Sequence, residues 1–138
     1  AESCTGGWIA KLCTDIAGSS DWFDCGFVTY SNAAKMRLLG VSAATLETHG
    51  AVSEQTAAEM ARGALAQSNA DIALSVTGIA GPDGGSAEKP VGTVYLAWKN
   101  KAGWLDVERL HYNGSRQEIR RQTVITALTK LLGYLNEN

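Results

Sequence analysis

Apolar residues recur at helical spacing near the start of the chain and again at its end. The first set is Ile9, Leu12, Cys13 and Ile16, spaced i, i+3, i+4 and i+7 and followed by Gly18. The last helix begins with a capping box from Ser115 to Glu118. Its predicted buried stripe consists of Val124, Ala127, Leu128, Leu131 and Leu135.

Polar residues that favour helix starts predict three further helices between these two. They begin at Ser31 or Asn32, at Ser42 and at Ser53. The first of them ends at Leu39, with Gly40 as its C′ residue.

Runs rich in β-branched and aromatic residues predict strands at 27–30, 72–76, 92–98 and 105–112. Residues 100–103 (Asn-Lys-Ala-Gly) are typical of a hairpin turn between the last two strands. Strands that alternate with helices predict an α/β fold, here three α/β/α layers with a mainly parallel sheet plus one antiparallel hairpin. We expect residues 1–138 to form a single domain. Because Ala1-Glu2-Ser3 has the character of the tail of a strand, we also expect a helix and a strand to precede it.

Composition narrows the class of protein. The 138 residues are 45% hydrophobic and 19% charged, which is typical of a compact globular domain. A net charge of -2 argues against a general nucleic-acid binder. No apolar run is long enough to cross a membrane, and no signal peptide is recognisable, so we expect no membrane partner.

Three cysteines, an odd number, argue against a disulfide framework and favour the reducing cytoplasm. Apolar residues beside the hairpin, Trp104 and Leu105, are candidates for a dimer face, and we expect a homo-oligomer, with a dimer favoured. A basic cluster near the C-terminus is either a phosphate site or a solvated helix face; it consists of Arg116, Arg120 and Arg121.

Two glycine-rich loops are the strongest functional signal. One follows the predicted strand at 72–76 and extends to Gly85, and the other is Ser3-Cys4-Thr5-Gly6-Gly7. Glycine lets backbone N–H groups approach an anionic ligand closely. The pair of loops therefore indicates a small phosphorylated or carboxamide-bearing ligand, and the alternative is that both are tight turns only.

Ligands of open α/β sheets bind outside the carboxyl ends of the strands. We expect four polar segments to converge there, at residues 3–7, 18–20, 30–35 and 77–85. These segments offer hydroxyls, one lysine and backbone amides. Because His49 and His111 have no partner at ligand spacing, we expect no metal site, no cofactor and no Ser-His-Asp triad.

Lys35 is the side chain with the clearest chemical potential. A lysine whose pKa is lowered serves as a general base toward a serine hydroxyl, although a solvated helix residue is the commoner role. Tyr30 either relays a proton or packs, and Ser20 is either a nucleophile or a turn residue. Ser3 and Thr5 are equally candidates for a nucleophile or for phosphate ligands, and the residues alone do not rank the serines.

The same segments, in order, resemble the CinA carboxy-terminal domain over nearly the whole chain. The matching segments are 1–7 (AESCTGG), 18–20 (GSS), 28–35, 50–53 (GAVS), 77–82 (TGIAGP), 89–94 (KPVGTV) and 114–121. Stand-alone versions of this domain are nicotinamide-nucleotide amidohydrolases. The resemblance implies hydrolysis of the carboxamide of nicotinamide mononucleotide to nicotinic acid mononucleotide and ammonia, in bacterial pyridine-nucleotide recycling.

On this basis we expect Ser20 to attack the amide carbon while Lys35 takes its proton with help from Tyr30. Thr77 would orient the amide or donate to the developing oxyanion. Arg116, which matches an arginine of the family, would bind the phosphate. Further substrate contacts are expected from Ser3, Thr5, Gly6, Gly7, Gly78 and Gly81, whose loops would cradle the phosphate or form an oxyanion hole.

Two other functions fit the same residues. A domain that senses a pyridine nucleotide without hydrolysing it would use the same loops, and ammonia release distinguishes it from an enzyme. A phosphatase or pyrophosphatase is a weaker alternative, because the only acidic residue in the longer glycine-rich loop is Asp83.

Overall fold

The computed structural model describes residues 1–138. Five α-helices, one short 3-10 helix and three strands follow one another along the chain. They are α1 (Trp8–Thr14), the 3-10 helix (Ser19–Asp21), α2 (Asn32–Leu39), α3 (Ala43–His49), α4 (Glu54–Ala66), β1 (Ile72–Gly78), β2 (Thr93–Asn100), β3 (Leu105–His111) and α5 (Arg116–Glu137).

Serine side chains start four of the five α-helices, as the sequence predicts. Ser31, Ser42, Ser53 and Ser115 each accept a hydrogen bond from the backbone N–H three residues later. Each cap satisfies one of the N–H groups that a helix start leaves free. Gly40 ends α2 with a left-handed backbone (φ 67°), which confirms its predicted role.

Helix ends are less well predicted than helix starts. α1 ends at Thr14, so Ile16 lies beyond it and is exposed. In α5, Val124 and Ala127 are buried, Leu128 and Leu131 are half-buried, and Leu135 is exposed. The predicted stripe therefore reaches the core only in the first half of α5.

The sheet is antiparallel in the order β1-β2-β3, which corrects the prediction of a mainly parallel sheet. Val76 pairs with Leu96, and Leu96 pairs with Glu108. Parallel pairing is limited to two isolated bridges from Glu2, one to Val28 and one to Val76. Since segments 1–3 and 27–29 contribute single bridges, the regular ladders are those of the hairpin strands. The β2–β3 hairpin itself is confirmed.

Helices cover both faces of the sheet, and β2 divides its side chains between them. Val94, Leu96 and Trp98 join Ile119 and Val124 in the larger core, on the α1 and α5 side. The alternate residues Tyr95 and Ala97 pack with Ala57 and Ala61 of α4. The period of two along β2 thus builds the cores of an α/β fold on opposite sides of one sheet.

Three further features of the structure relate to the predictions about membrane spans, cysteines and a dimer face. None of the helices combines the length and apolar character that a membrane crossing requires. All three cysteines are free thiols. Trp104, an expected dimer-face residue, stacks on Tyr134 of the same chain with 3.9 Å between ring centroids.

Candidate active site

The segment that contains Ser3 lies between two others that run in the same direction. The Ser3 N–H donates to the Val76 carbonyl at 3.0 Å, and the Thr29 N–H donates to the Glu2 carbonyl at 2.9 Å. Ser3, Tyr30 and Gly78 therefore lie where three adjacent segments end. The structure brings these polar segments together at the edge where the sequence places them.

The pleat separates the side chains of this edge into two sets. Glu2 is bridged to Val76, and its carboxylate reaches α1. The next residues, Ser3 and Thr77, therefore point to the opposite face, the one covered by α2 and α4. Lys35 approaches Ser3 from α2, and Thr77 bonds the carbonyl of Ala51, just before α4.

Lys35 and Ser3 are in direct contact. Lys35 is only 1% exposed, and its Nζ lies 3.1 Å from the Ser3 Oγ, 2.8 Å from the Thr29 carbonyl oxygen and 3.4 Å from the Tyr30 carbonyl oxygen. A neutral amine has two hydrogens and one lone pair. Because the two carbonyl oxygens can only accept, in the neutral form both hydrogens would go to them and the lone pair would face the Ser3 hydroxyl.

No carboxylate pairs with Lys35. Burial lowers the pKa of Lys35, because the charged form loses hydration in this pocket. Its position in the first turn of α2 acts in the same direction, since the helix start carries a positive partial charge. Neighbouring Cys4 adds no thiolate at neutral pH, because burial raises its pKa to about 11. Lys35 therefore has the environment of a general base.

Glu2 organises the loop from Ser3 to Gly7, a role that the sequence analysis missed. Its buried carboxylate accepts from the Thr5 hydroxyl at 2.6 Å and from the N–H groups of Ile9 (2.9 Å) and Ala10 (3.1 Å). These charge-assisted bonds tie the loop to the first turn of α1. An acidic residue a few positions before a helix start is the signal that could have found it.

The same loop presents unpaired backbone donors. Cys4 and Thr5 are buried, at 6% and 0% exposure, yet their backbone N–H groups make no hydrogen bond. Buried backbone N–H groups are nearly always paired in proteins. Two free ones beside a serine hydroxyl are suited to bind a negatively charged oxygen.

Glycines allow this loop to turn. Gly6 and Gly7 have φ values of 59° and 101°, in the left-handed region that favours glycine. The Gly6 N–H donates back to the Ser3 carbonyl at 3.0 Å, and Gly7 precedes α1. Both glycines were predicted to contact substrate, and the structure gives them a conformational role in the loop.

Arg116 links three predicted site segments at the rim. Its guanidinium donates to the Gly81 carbonyl at 2.7 Å and to the Tyr30 hydroxyl at 3.1 Å. Tyr30 is 62% exposed. The Tyr30 hydroxyl thus contacts Arg116, whereas its predicted partner Lys35 contacts the Tyr30 backbone carbonyl instead.

The remaining glycines of the prediction pack against the hairpin strand and its preceding loop. A Cβ at Gly78 would lie 2.8 Å from a methyl group of Val94, and one at Gly81 would overlap a methyl group of Val91. Thr77 is buried, and its hydroxyl proton is donated to the Ala51 carbonyl at 2.7 Å. Its hydroxyl is therefore left to accept rather than to donate.

Ser20 is not brought together with Lys35, which corrects the expected pairing. It is an exposed residue of the 3-10 helix and lines a cavity of about 850 Å³ with apolar residues such as Trp22, Phe23 and Leu131. Ile72 lines the same cavity, at the start of β1, whereas Ser3 lies beside its end. Ser3 is the serine that contacts the lysine.

Neither histidine makes a hydrogen bond to Lys35 or Ser3. The His49 carbonyl accepts from the Lys89 Nζ at 2.9 Å, and the His111 Nε2 lies 3.0 Å from the Val91 carbonyl oxygen. No group of three or more His, Cys, Asp or Glu side chains is arranged to hold a metal ion.

Comparison with known proteins identifies the family. The model of the CinA C-terminal domain matches residues 1–135. Nicotinamide-nucleotide amidohydrolase PncC of Enterobacter agglomerans is 60% identical over all 138 residues, which correspond to 84% of its length. The protein of the same name from Escherichia coli K12 is 57% identical over the same share.

A solved structure agrees with this match. The competence/damage inducible protein CihA from Agrobacterium tumefaciens superposes with a TM-score of 0.94 at 57% identity, over 96% of this chain and 81% of that one. Sequence and fold point to the same relatives. The chain belongs to the CinA C-terminal domain family.

Proposed function

We propose that this protein is a nicotinamide-nucleotide amidohydrolase that converts nicotinamide mononucleotide to nicotinic acid mononucleotide and ammonia. Relatives that carry the name nicotinamide-nucleotide amidohydrolase PncC are 54–60% identical over 96–100% of the chain. Such identity supports the same reaction, and the residues at the sheet edge supply chemistry that suits it.

The observation that carries the proposal is the contact between Lys35 Nζ and Ser3 Oγ at 3.1 Å, in a pocket without a carboxylate. Serine hydroxyls are weak nucleophiles unless a base removes the proton. Lys35 is the proposed base, because burial lowers its pKa and its Nζ lies within hydrogen-bonding distance of the Ser3 Oγ. Ser3 thus replaces Ser20 as the proposed nucleophile.

Acylation begins when the Ser3 Oγ attacks the carboxamide carbon and its proton passes to Lys35. The resulting tetrahedral intermediate collapses as the C–N bond breaks, and the Lys35 ammonium gives its proton to the departing nitrogen. Ammonia leaves, and the nicotinoyl group remains as an ester on Ser3.

Deacylation repeats these transfers with water. Lys35 takes a proton from water, the hydroxide oxygen attacks the ester carbon, and the bond to the Ser3 Oγ breaks. Lys35 then returns a proton to Ser3. The product is nicotinic acid mononucleotide, and the enzyme is regenerated.

Charge develops on the carbonyl oxygen in both steps. The free backbone N–H groups of Cys4 and Thr5 are the donors that we assign to it. Thr77 orients the substrate by accepting from the carboxamide NH₂, since its own proton is engaged with Ala51.

The phosphate and the pyridinium ring of the substrate are assigned to contacts outside the Ser3–Lys35 pair. Arg116 binds the phosphate with the guanidinium hydrogens that Gly81 and Tyr30 leave free. The bound pyridinium cation further lowers the pKa of Lys35, because like charges disfavour the ammonium form.

Location and assembly extend the proposal. Three free cysteines favour a reducing compartment, and we assign the protein to the cytoplasm.

A homodimer is proposed from the apolar residues beside the hairpin, Trp104 and Leu105. Light scattering of the purified chain measures the oligomeric state.

Ammonia release from nicotinamide mononucleotide tests the proposed function. We expect wild type to release ammonia with or without a chelator, Ser3→Ala to be inactive, and Ser20→Ala to turn over within a few-fold of wild type. Acid quenching followed by peptide mass spectrometry should find the nicotinoyl ester on the peptide that contains Ser3. An active Ser3→Ala variant would refute the nucleophile, and substrate binding by a folded wild type without ammonia release would indicate a sensor.

A further inference from the structure

We infer that Arg120 is a positioning residue, which orients the backbone N–H groups of Cys4 and Thr5 toward the carbonyl oxygen of the substrate. The inference rests on the proposed function, because it concerns the same reaction. It assigns a role to a guanidinium that the catalytic scheme does not otherwise use.

Arg120 joins α5 to the Ser3–Gly7 loop. Its Nε donates to the Cys4 carbonyl at 3.0 Å, and its Nη2 donates to the Thr5 carbonyl at 3.2 Å. The guanidinium also lies over the ring of Trp8, with 5.5 Å from Cζ to the ring centroid. These contacts hold both the position and the plane of the guanidinium.

The first contact orients the Thr5 N–H. In a trans peptide the C=O and N–H point in opposite directions within one rigid plane. The Cys4 carbonyl and the Thr5 N–H belong to the same peptide unit. Because Arg120 holds that carbonyl, the Thr5 N–H is directed away from Arg120 and remains free.

The contact between Arg120 Nη2 and the Thr5 carbonyl orients the Cys4 N–H indirectly, through one further hydrogen bond. The Thr5 carbonyl shares its peptide unit with the Gly6 N–H, which donates to the Ser3 carbonyl at 3.0 Å. That carbonyl in turn shares its unit with the Cys4 N–H. Arg120 therefore acts on three consecutive peptide planes and, with them, on both free donors, together with the Trp8 N–H, which donates to the same Thr5 carbonyl at 3.1 Å.

This geometry requires an arginine. Two carbonyl oxygens of consecutive residues are held by the fixed fork of one guanidinium, which a lysine ammonium does not reproduce. The positive charge also polarises the peptide units that it contacts and makes their N–H groups stronger donors.

A phosphate ligand is the other role open to Arg120. The residue lines a cavity of about 370 Å³ together with Lys11 and Gln117. The observed contacts favour positioning, because both carbonyl oxygens that Arg120 holds belong to the loop that carries the free N–H groups. The two roles predict different kinetics.

The experiment compares Arg120→Lys and Arg120→Ala with Arg121→Ala, on nicotinamide mononucleotide and on nicotinamide riboside, which lacks the phosphate. Arg121 is the matched control, because it is exposed on the same helix and makes no hydrogen bond or ion pair. We expect both Arg120 variants to lose about 10- to 100-fold in kcat on both substrates, with KM within about threefold of wild type. Guanidinium ion in solution should partly restore the kcat of Arg120→Ala.

Backbone amide NMR supplies a readout that does not depend on activity. The amide signals of Cys4, Thr5 and Gly6 should shift in Arg120→Lys and stay in place in Arg121→Ala. If wild type releases no ammonia, the proposed function fails, and these signals still test the orientation of the loop.

Two results would overturn the inference. One is an Arg120→Lys variant with wild-type kcat and unshifted Cys4 and Thr5 amides. The other is a rise in KM for the mononucleotide alone, with kcat unchanged, which would make Arg120 a phosphate ligand.

Discussion

Two lysines on opposite sides of the molecule have opposite environments. Lys35 is buried against carbonyl oxygens and the Ser3 hydroxyl, with no carboxylate in contact. Lys130 of α5 reaches Asp106 at 2.6 Å, also bonds Glu108, and lies 4.7 Å from the centroid of the Trp98 ring. Both lysines lose hydration, but only Lys130 gains negatively charged partners.

The pKa directions follow from this difference. Burial lowers the pKa of Lys35, and nothing nearby compensates at neutral pH. Burial also acts to lower the pKa of Lys130, but hydrogen bonds and charges from Asp106 and Glu108 outweigh it and raise the pKa. A lysine becomes a base where the fold withholds a counter-ion, and a structural cation where the fold supplies one.

Replacing each lysine by methionine should give the largest difference between the two residues, measured as kcat. Lys35→Met is expected to lower kcat by at least about 10³-fold, because Ser3 loses its base. Lys130→Met should stay within about threefold of wild type. Initial rates of ammonia release on folded variants measure both, and equal losses in the two would contradict the assignment of Lys35 as the base.

The pH profile should distinguish the same two residues. Because the proposed base Lys35 would act in its neutral form, log kcat/KM should rise with a slope of about one until the pH reaches its pKa, which lies below the ordinary 10.5. Lys130→Met should keep that profile. A flat profile between pH 6 and 9 for wild type would require the pKa of Lys35 to lie below that interval or a different group to act.

The pH dependence of Tm should show the smallest effects, and these should have opposite signs for Lys35 and Lys130. For Lys35, whose folded pKa is lowered, the unfolded chain binds more protons between the folded value and 10.5. Wild type should therefore gain Tm relative to Lys35→Met as pH rises through that interval. The expected change is a few degrees, since a shift of one pKa unit corresponds to about 1.4 kcal/mol.

Lys130 should show the reverse sign. Its raised pKa stabilises the fold fully below 10.5, and that contribution is lost as pH rises through the folded value. Wild type should thus lose Tm relative to Lys130→Met at alkaline pH, by no more than a few degrees because the pair is partly exposed. Thermal unfolding across pH measures both variants, and the same sign in both would refute the comparison.

Local signals in the sequence predicted local structure well. The caps at Ser31, Ser42, Ser53 and Ser115 act over three residues, and the β2–β3 turn acts over four. Each needs no partner from elsewhere in the chain. Of the four segments expected to converge, 3–7, 30–35 and the start of 77–85 lie together, because they end neighbouring segments of one sheet.

The choice of serine did not follow from sequence. Ser20 comes after α1, and a helix of seven residues carries the chain about 10 Å away from the sheet edge where it starts. The segment at 18–20 resembles a loop that follows a strand, but it follows a helix and lies at the other end of β1. Polar composition alone does not distinguish these two positions.

The amino-acid order was sufficient for helix starts, the hairpin, the α/β class and the reaction class implied by family resemblance. Tertiary structure decided which serine meets Lys35, 32 residues away, and which donors Arg120 orients, more than 110 residues away. The reason is physical. A hydrogen-bonded turn is set by neighbours in the chain, whereas the pKa of a lysine and the direction of a free N–H depend on what packing brings next to them.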